Sequence, residues 1–343
     1  MSRVHFLILS IGLVALFFAN LIFGAVHIPF EYVMEILTNN ISDSVRPSWV
    51  HIIIESRLPQ ALTAILAGSA LAISGLMLQT LFRNPLAGPS ILGISDGANL
   101  GVAIVMLAFG GAVQFIPNFP ISGYLTIIFA AIVGAMAVLS IIIWFSSRVQ
   151  SNTMLLIVGI MVGYMVSSLI SILNFRASAD KVHAFVMWGM GNFTGVSLDK
   201  LPYFSAFIII GLICSLLLIK PLNALLLGEM YAANLGVKIK PARISILLCT
   251  GVLTATATAF CGPISFIGLA VPHMSRLLLG SSNHNSLVPI TILCGACVAL
   301  LCNLMTVLPG DNQIFPLNAV TPILGAPVII YVILNRKNIQ YFN

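Results

Sequence analysis

Apolar segments of about the length needed to cross a bilayer follow one another along most of the chain. A membrane-spanning helix needs roughly 20 apolar residues, and ten stretches approach that length, of which the eighth is short and interrupted at Pro272. They centre on residues 4–26, 58–81, 93–113, 121–145, 153–174, 201–219, 243–261, 264–279, 287–308 and 319–334. The pattern predicts an all-α polytopic membrane protein of about ten transmembrane helices, in which residues 1–343 form a single transmembrane domain.

The composition agrees with this prediction. Hydrophobic residues make up 59% of the chain and charged residues 7%, whereas a soluble domain normally has about 25% charged residues. The surface of such a protein must therefore face mainly lipid. The net charge of +6 comes from Lys and Arg scattered singly or in pairs between apolar runs, which argues against nucleic-acid binding. The six cysteines lie in or beside apolar segments and are predicted to be packing residues.

The basic residues also predict an orientation, because Lys and Arg are enriched on the cytoplasmic side of membrane proteins. The first apolar segment is longer than a signal-peptide core, which favours a retained span. With the N-terminus inside, ten of the 15 Lys and Arg residues are cytoplasmic. The five outside are Arg46, Arg57, Arg176, Lys181 and Lys200. An even number of spans with both termini in the cytoplasm follows.

Three connections are longer than this topology requires, namely residues 27–56 and 175–200 outside and residues 220–242 inside. The inner connection contains the stretch LNALLLGEMYAANLGVKI. It predicts two short helices, broken at Gly228 and closed at Gly236, because glycine commonly follows the end of a helix.

A short motif occurs twice, as GPSILGI from Gly88 and as GPISFIGL from Gly262. The copies follow the second and seventh predicted spans and therefore lie on opposite sides of the membrane, as in an inverted repeat. Glycine pairs at a spacing of four residues, which begin at Gly97 and Gly159, predict close packing between helices.

Known catalytic motifs are absent from the sequence. It has no Walker A, H-E-x-x-H or G-x-S-x-G pattern, so we expect a transport subunit that is not an enzyme and has no cofactor. The best candidate for a charge that couples transport to an ion gradient is Asp96, but its place near a predicted helix start is also that of an N-cap. Without such a charge, the energy must come from a partner subunit. An ion-coupled secondary carrier and an intramembrane enzyme are the alternatives.

The stretch ESRLPQALTAILAGSALAISGLMLQTLFRNPLAGPSILGISDGANLG resembles the signature of the FecCD-type permeases, the membrane subunits of importers for iron–siderophores, haem and cobalamin. Three further stretches agree: LLGEMYAANLGVKI, GPISFIGLAVPHMSRLLLG and FPLNAVTPILGAPVIIYVIL. The resemblance implies a type II ABC importer permease fold, a homodimer with one path at its interface, two cytoplasmic ATPase subunits and an extracytoplasmic substrate-binding protein. It places the protein in the bacterial cytoplasmic (inner) membrane.

The resemblance also implies roles for particular residues. Coupling helices that contact the ATPases fall at about residues 222–238, around Gly228, Glu229, Ala233, Leu235 and Gly236. A cytoplasmic gate falls at Asn84, Leu86, Asn152 and Thr153. Docking of the binding protein is assigned to Arg57, and the mouth of the path is assigned to Met187, Trp188 and Met190. The sequence departs from the family in CNLMTVLPG and NQIFPLN, which lack an Arg and a Glu that many members carry, so Arg46 and Lys181 are further candidates for docking. The favoured substrate is a ferric siderophore, with cobalamin and haem as alternatives that the sequence leaves open.

Overall fold

The computed structural model describes residues 2–24, 26–40, 42, 45–109, 123–149, 151–307 and 315–334. These residues form helices and connections, and no β-strand occurs among them. In chain order the α-helices are α1 (Ser2–Ile22), α2 (Phe30–Leu37), α3 (Pro47–His51), α4 (Leu58–Phe82), α5 (Ile94–Ala103), α6 (Gly123–Arg148), α7 (Asn152–Arg176), α8 (Ala179–Gly189), α9 (Leu201–Leu217), α10 (Ile219–Leu226), α11 (Glu229–Asn234), α12 (Ile239–Cys261), α13 (Ile267–Leu279), α14 (His284–Val307) and α15 (Leu317–Leu334). Two π-helical segments, Ile52–Arg57 before α4 and Ile104–Ala108 after α5, continue these helices.

Each of the ten predicted apolar segments corresponds to a helix of the bundle. Among the described residues, six helices are long and apolar enough to cross a membrane alone, and α9 and α10, which meet at a bend of 51°, reach that length and hydropathy as a pair. Three apolar helices are shorter: α5 with its π-helical continuation, α13 and α15. The all-α, multi-pass prediction is confirmed. The C-terminal residues 335–343 lie outside the described residues, so the predicted position of that end stays a prediction.

Helix α4 is the centre of the bundle. It packs against α14, α12, α13 and α9, and nearly all of its residues from Pro59 to Phe82 are buried. A helix that is apolar on every side belongs in the interior of a bundle. Helix α1 is the opposite case, because most of its surface is exposed and is therefore available to lipid.

Glycines allow the neighbouring backbones to approach α4 closely. A Cβ atom on Gly75 would lie 1.6 Å from the carbonyl oxygen of Gly268 in α13, and one on Gly68 would lie 2.3 Å from that of Gly295 in α14. The predicted glycine pair at Gly97 and Gly101 packs in the same way, against α6. In lipid, where apolar burial gives little drive for helix association, such close contact stabilises the bundle.

The two copies of the repeated motif precede helices that start inside the bundle. Gly93, before α5, lies against α7 at Gly159 and Gly163, about two to three turns from the start of α7. Gly268, in the first turn of α13, lies against the middle of α4 at Leu71. From these points α5 runs towards α8, whereas α13 runs towards the other end of α4, where Arg276 reaches Gln79. The opposite directions of the two short helices agree with an inverted repeat. The copies themselves do not lie on opposite sides of the membrane, as the sequence predicted, because both motifs meet inside the bundle, where Gly268 lies against the ring of Pro89.

The start of α5 corrects one sequence-based expectation. The N-cap of this helix is Gly93, whose φ of 72° lies in the left-handed region, and Asp96 is the third helical residue. Asp96 is therefore not the N-cap. Its carboxylate lies in the first turn, where a negative charge interacts favourably with the helix dipole, and it faces Gly163 of α7.

Replacement of Gly75 by alanine tests the close contact between α4 and α13. The added methyl group would overlap the Gly268 carbonyl, so we expect Gly75→Ala to destabilise the protein by about 1–3 kcal/mol. The measurement is the thermal unfolding midpoint of the detergent-solubilised protein. Gly12→Ala in α1, where a Cβ meets nothing within 4 Å, is the control and should melt at or slightly above the wild-type temperature. Equal melting of Gly75→Ala and wild type would contradict the packing.

Candidate functional site

Helices α10 and α11 lie together at one end of the bundle, which we call the α11 end; the opposite end is the α8 end. Both short helices are where the sequence predicts them, within the connection from 220 to 242. Gly228 is the N-cap of α11 with a φ of 106°, and Gly236, with a φ of 85°, follows its C-cap Leu235. Backbone of this kind strongly favours glycine. The two glycines therefore set the beginning and the end of α11.

Helix α11 exposes a cluster of apolar side chains. Met230 is 83% exposed, and Tyr231 and Leu235 are each 66% exposed. Ala233 is exposed beside them, while Ala232 faces the bundle. Exposed apolar patches of this kind commonly mark a surface that binds another protein.

An ion pair fixes α11 to the bundle. The Glu229 carboxylate accepts a hydrogen bond of 2.7 Å from Arg243 at the start of α12. The buried Arg243 guanidinium also donates to the carbonyl oxygens of Ser146 and Val149, at the end of α6, at 3.3 and 3.2 Å. A charged group that loses its water must gain such partners. The position of α11 is thus tied to α6 and α12.

Asn152 joins the predicted gate to the predicted coupling helix. This residue begins α7, and its side-chain amide donates to the Leu81 carbonyl oxygen in α4 at 2.9 Å and to the Glu229 carboxylate at 3.1 Å. One amide group therefore connects α7, α4 and α11. The sequence did not indicate this contact between two separately predicted sites.

The other predicted gate residues follow α4 or begin α7. The Asn84 side-chain oxygen accepts a hydrogen bond of 2.9 Å from the Leu86 amide, a local turn typical of asparagine. Leu86 is 43% exposed, and Thr153 is exposed next to Asn152. These positions share the α11 end of the bundle, and their gating role stays a prediction.

A cavity of about 250 Å³ lies at the α8 end. The predicted mouth residues Met187 and Met190 line it, whereas Trp188 does not; its ring stacks on Phe185 at a centroid distance of 6.4 Å. The polar groups of the cavity include the amides of Gln60 and Asn303, which share a hydrogen bond of 2.9 Å. The described lining residues carry no charge.

The predicted docking residues have different environments at the α8 end. Arg46 is exposed and lies over the Trp49 ring at 5.1 Å, and the ammonium group of the half-buried Lys181 lies 3.5 Å from the Leu107 carbonyl oxygen. Arg57 is only 7% exposed, so in this conformation its charge is not presented at the surface. Arg46 and Lys181 are the candidates that the structure leaves accessible, and the docking roles stay predictions.

The buried Arg57 guanidinium caps the end of α1. It donates to the carbonyl oxygens of Leu21 and Ile22, at 2.7 and 2.8 Å, and to that of Val26. The last carbonyl oxygens of a helix have no hydrogen-bond donors within the helix. Here the Arg57 guanidinium is their donor.

Comparison with known proteins places this geometry in a family. The model of the FecCD transport family matches residues 12–335. The chain belongs to that family. It is 33% identical over 337 residues to the hemin transport system permease protein of Yersinia pestis (97% of this chain, 95% of the relative) and 35% identical over 283 residues to the vitamin B12 import system permease protein of Citrobacter koseri (82% of each). It is also 34% identical over 296 residues to the molybdate import system permease protein of Haemophilus influenzae (84% and 83%).

A solved structure agrees with the family assignment. An inward-facing conformation of a metal-chelate-type ABC transporter superposes with a TM-score of 0.82 at 30% identity, covering 97% of this chain and 98% of the other. The sequence-based resemblance and the type II importer fold are therefore confirmed. This FecCD-family chain is an ABC importer permease.

A buried polar cluster in this FecCD-family permease was not predicted as a site. The Arg276 guanidinium donates to the Gln79 side chain at 2.5 Å, and a ring nitrogen of His273 lies 2.7 Å from the Pro85 carbonyl oxygen. The cluster holds the end of α4 against α13. Gln79 stands out in the sequence as a polar residue in an apolar segment, but its partners are almost 200 positions away.

No group of three or more His, Cys, Asp or Glu residues that could hold a metal ion occurs in the part of the chain that the structure describes. The six cysteines are free thiols, and four of them are buried. The buried positions of these four agree with the packing role that was predicted for all six, whereas Cys214 is exposed. That the FecCD-family permease works without a cofactor stays a prediction.

Replacing Arg57 distinguishes the capping role from the docking role. Arg57→Gln removes charged hydrogen bonds to the end of α1, so we expect a loss of stability of about 2 kcal/mol or more, measured as a lower thermal unfolding midpoint. Arg46→Gln, at an exposed position, is the control and should melt like the wild type. Wild-type melting of Arg57→Gln together with weaker docking of the binding protein would contradict the capping role.

Proposed function

We propose that this permease works as a homodimer with two cytoplasmic ATPase subunits and an extracytoplasmic binding protein, and that it imports a metal chelate by alternating access. The α11 end then faces the cytoplasm of a bacterium, the α8 end faces outward, and both termini are cytoplasmic. The whole chain acts as one permease domain. It hydrolyses no ATP itself.

The exposed apolar face of α11 is the observation that carries this proposal. Met230 and Tyr231 project from a helix of only six residues and Leu235 from its C-cap. Glu229 and Arg243 hold this helix against the bundle. An ATPase subunit that binds this face can move α11 as a rigid body. The ion pair passes that movement to α6 and α12, and Asn152 passes it to α4 and α7.

The lining of the cavity at the α8 end supports a substrate that is bound without a fixed charge partner. Methionine, phenylalanine and amide side chains line it, and such surfaces bind by shape and scattered hydrogen bonds. An oxyanion would favour cationic lining groups, so a chelate fits better than a bare anion. A ferric siderophore is our first candidate, and haem and cobalamin have equal support.

Uptake into proteoliposomes tests the energy source. We expect import of the chelate when the permease is reconstituted with its ATPase and binding protein and ATP is supplied on the α11 side. A catalytically inactive ATPase should abolish uptake, and an imposed proton or sodium gradient should not restore it. Uptake that persists with the inactive ATPase would instead support an ion-coupled carrier.

A charged substitution in the α11 face tests the contact with the ATPase. Met230→Asp places a carboxylate in a surface that should be buried in the complex, so we expect at least a tenfold weaker association, since an unpaired buried charge costs more than about 1.4 kcal/mol. Copurification with the ATPase and ATP-dependent uptake are the measurements.

The control for this substitution is Asn285→Asp, which adds the same charge at an exposed position in the first turn of α14, also at the α11 end. It should leave association and uptake unchanged. Normal copurification and uptake of Met230→Asp would show that α11 does not form the contact.

A further inference from the structure

A hydrogen-bonded chain of three side chains connects α10 to α4 through α14. The Asn223 side-chain oxygen in α10 lies 3.0 Å from Nδ1 of His284, the first residue of α14. Nε2 of the same ring lies 2.9 Å from the Thr80 hydroxyl oxygen in the last turn of α4. His284 and Thr80 are fully buried.

The partners determine the direction of these hydrogen bonds. The Asn223 side-chain oxygen also accepts the His284 backbone N–H at 2.8 Å, so this atom is an acceptor and Nδ1 must carry a proton. In the neutral ring Nε2 is then an acceptor. The Thr80 hydroxyl donates to it.

The Thr80 hydroxyl has an alternative acceptor. Its oxygen lies 3.0 Å from the Leu76 carbonyl oxygen, one turn earlier in α4, and a single proton serves one acceptor fully at a time. If His284 moves away, the hydroxyl can turn to Leu76 and does not become a buried donor without a partner. A buried hydrogen bond is costly to break mainly because its donor is left without an acceptor. The hydrogen bond between Thr80 and His284 can therefore open at little cost.

The two short helices therefore reach consecutive residues of α4. Helix α10 reaches Thr80 through His284, and α11 reaches the carbonyl oxygen of Leu81 through Asn152. The predicted gate loop, beginning with Asn84, follows directly. The last turn of α4 is the place where displacements of both short helices meet.

We infer that His284 is a positioning residue that transmits movement of α10 to the last turn of α4, by a contact that opens and closes during the transport cycle. The inference rests on the proposed function, because it assigns a route to the ATPase-driven movement. This route differs from the one that begins at the coupling surface on α11. It starts at α10, runs through His284 and ends at Thr80, whereas the α11 route runs through Asn152 and ends at Leu81.

Substitutions that retain one of the two ring contacts test this inference. The side-chain amide of Gln can occupy the place of Nε2 and that of Asn the place of Nδ1, so His284→Gln retains the contact to Thr80 and His284→Asn retains only that to Asn223. His284→Leu loses both ring contacts. Thr80→Val removes the hydroxyl group that is hydrogen-bonded to Nε2 of His284. Ser69→Ala is the matched control, because it removes another hydrogen bond between α4 and α14, a partly buried one from Ser69 to the Ile292 carbonyl oxygen at 3.1 Å.

The readout is the number of ATP molecules hydrolysed per chelate imported by the reconstituted complex, together with the stimulation of hydrolysis by the loaded binding protein. We expect the ratio to rise about fivefold or more in His284→Leu, His284→Asn and Thr80→Val, as for a lost coupling of about 1 kcal/mol. His284→Gln should retain the wild-type ratio, because it keeps the contact to Thr80 and the backbone N–H of residue 284 still donates to Asn223. Ser69→Ala should retain it as well. A role limited to folding would lower the yield and melting temperature without changing this ratio.

Wild-type ratios in His284→Asn and Thr80→Val would overturn the inference while leaving the proposed function intact. An equal rise in Ser69→Ala would also overturn it, because the effect would then be general loosening of the α4–α14 contact. If His284→Leu does not fold, Thr80→Val decides the question. Absence of ATP-dependent uptake in the wild type would instead overturn the proposed function, and the inference with it.

Discussion

The close packing of α4 is the constraint on which the rest of the structure depends. Lipid is as apolar as the helix surfaces, so burial gives little drive for association, and the bundle must be held by contact between backbones and by internal hydrogen bonds. Gly68 and Gly75 allow that contact with α14 and α13. Because α4 is surrounded on all sides, its polar groups near the α11 end can meet only partners on neighbouring helices. That requirement produces the links from α4 to α13, α14 and α7.

These links explain why the two ends of the bundle differ in character. At the α11 end, charged and polar side chains lie between helices and hold them in a defined arrangement, as the buried Arg243 and the half-buried Glu229 do. Such a partly buried ion pair contributes little net stability, because desolvation of the charges offsets much of their attraction. Its effect here is to give α11 a fixed direction relative to α12. At the α8 end, the cavity offers amide and apolar groups instead, which can accommodate a passing solute without holding it.

The sequence predicted the helices and the ends of α11 because those depend on local patterns. Apolar runs place the ten segments, and Gly228 and Gly236 mark the short helices through their backbone requirements. Partners that are distant in sequence could not be found in this way. Arg57 stands beside an apolar segment with no nearby sign that its guanidinium reaches the end of α1. His284 lies just before another apolar segment, with no nearby sign of its contacts to Asn223 and Thr80. The signal in both cases was a polar residue at the edge of a span. Such a residue marks a position of interest, but the sequence does not show which residues it contacts.

The geometry at the end of α4 also bears on how one movement can open a path at the opposite side of the membrane. One continuous helix runs from Pro47 to Phe82, from α3 through the π-helical segment to the end of α4. Helix α13, held to Gln79 at one end, starts in the middle of the bundle, beside the loop that precedes α5 and a cavity of about 190 Å³ between the two copies of the repeated motif. The central helix is thus flanked at mid-depth by the starts of two half-length helices, and both copies of the repeated motif line the cavity beside it. Under the proposed alternating access, this cavity is the place where α5 and α13 have room to change their position relative to each other.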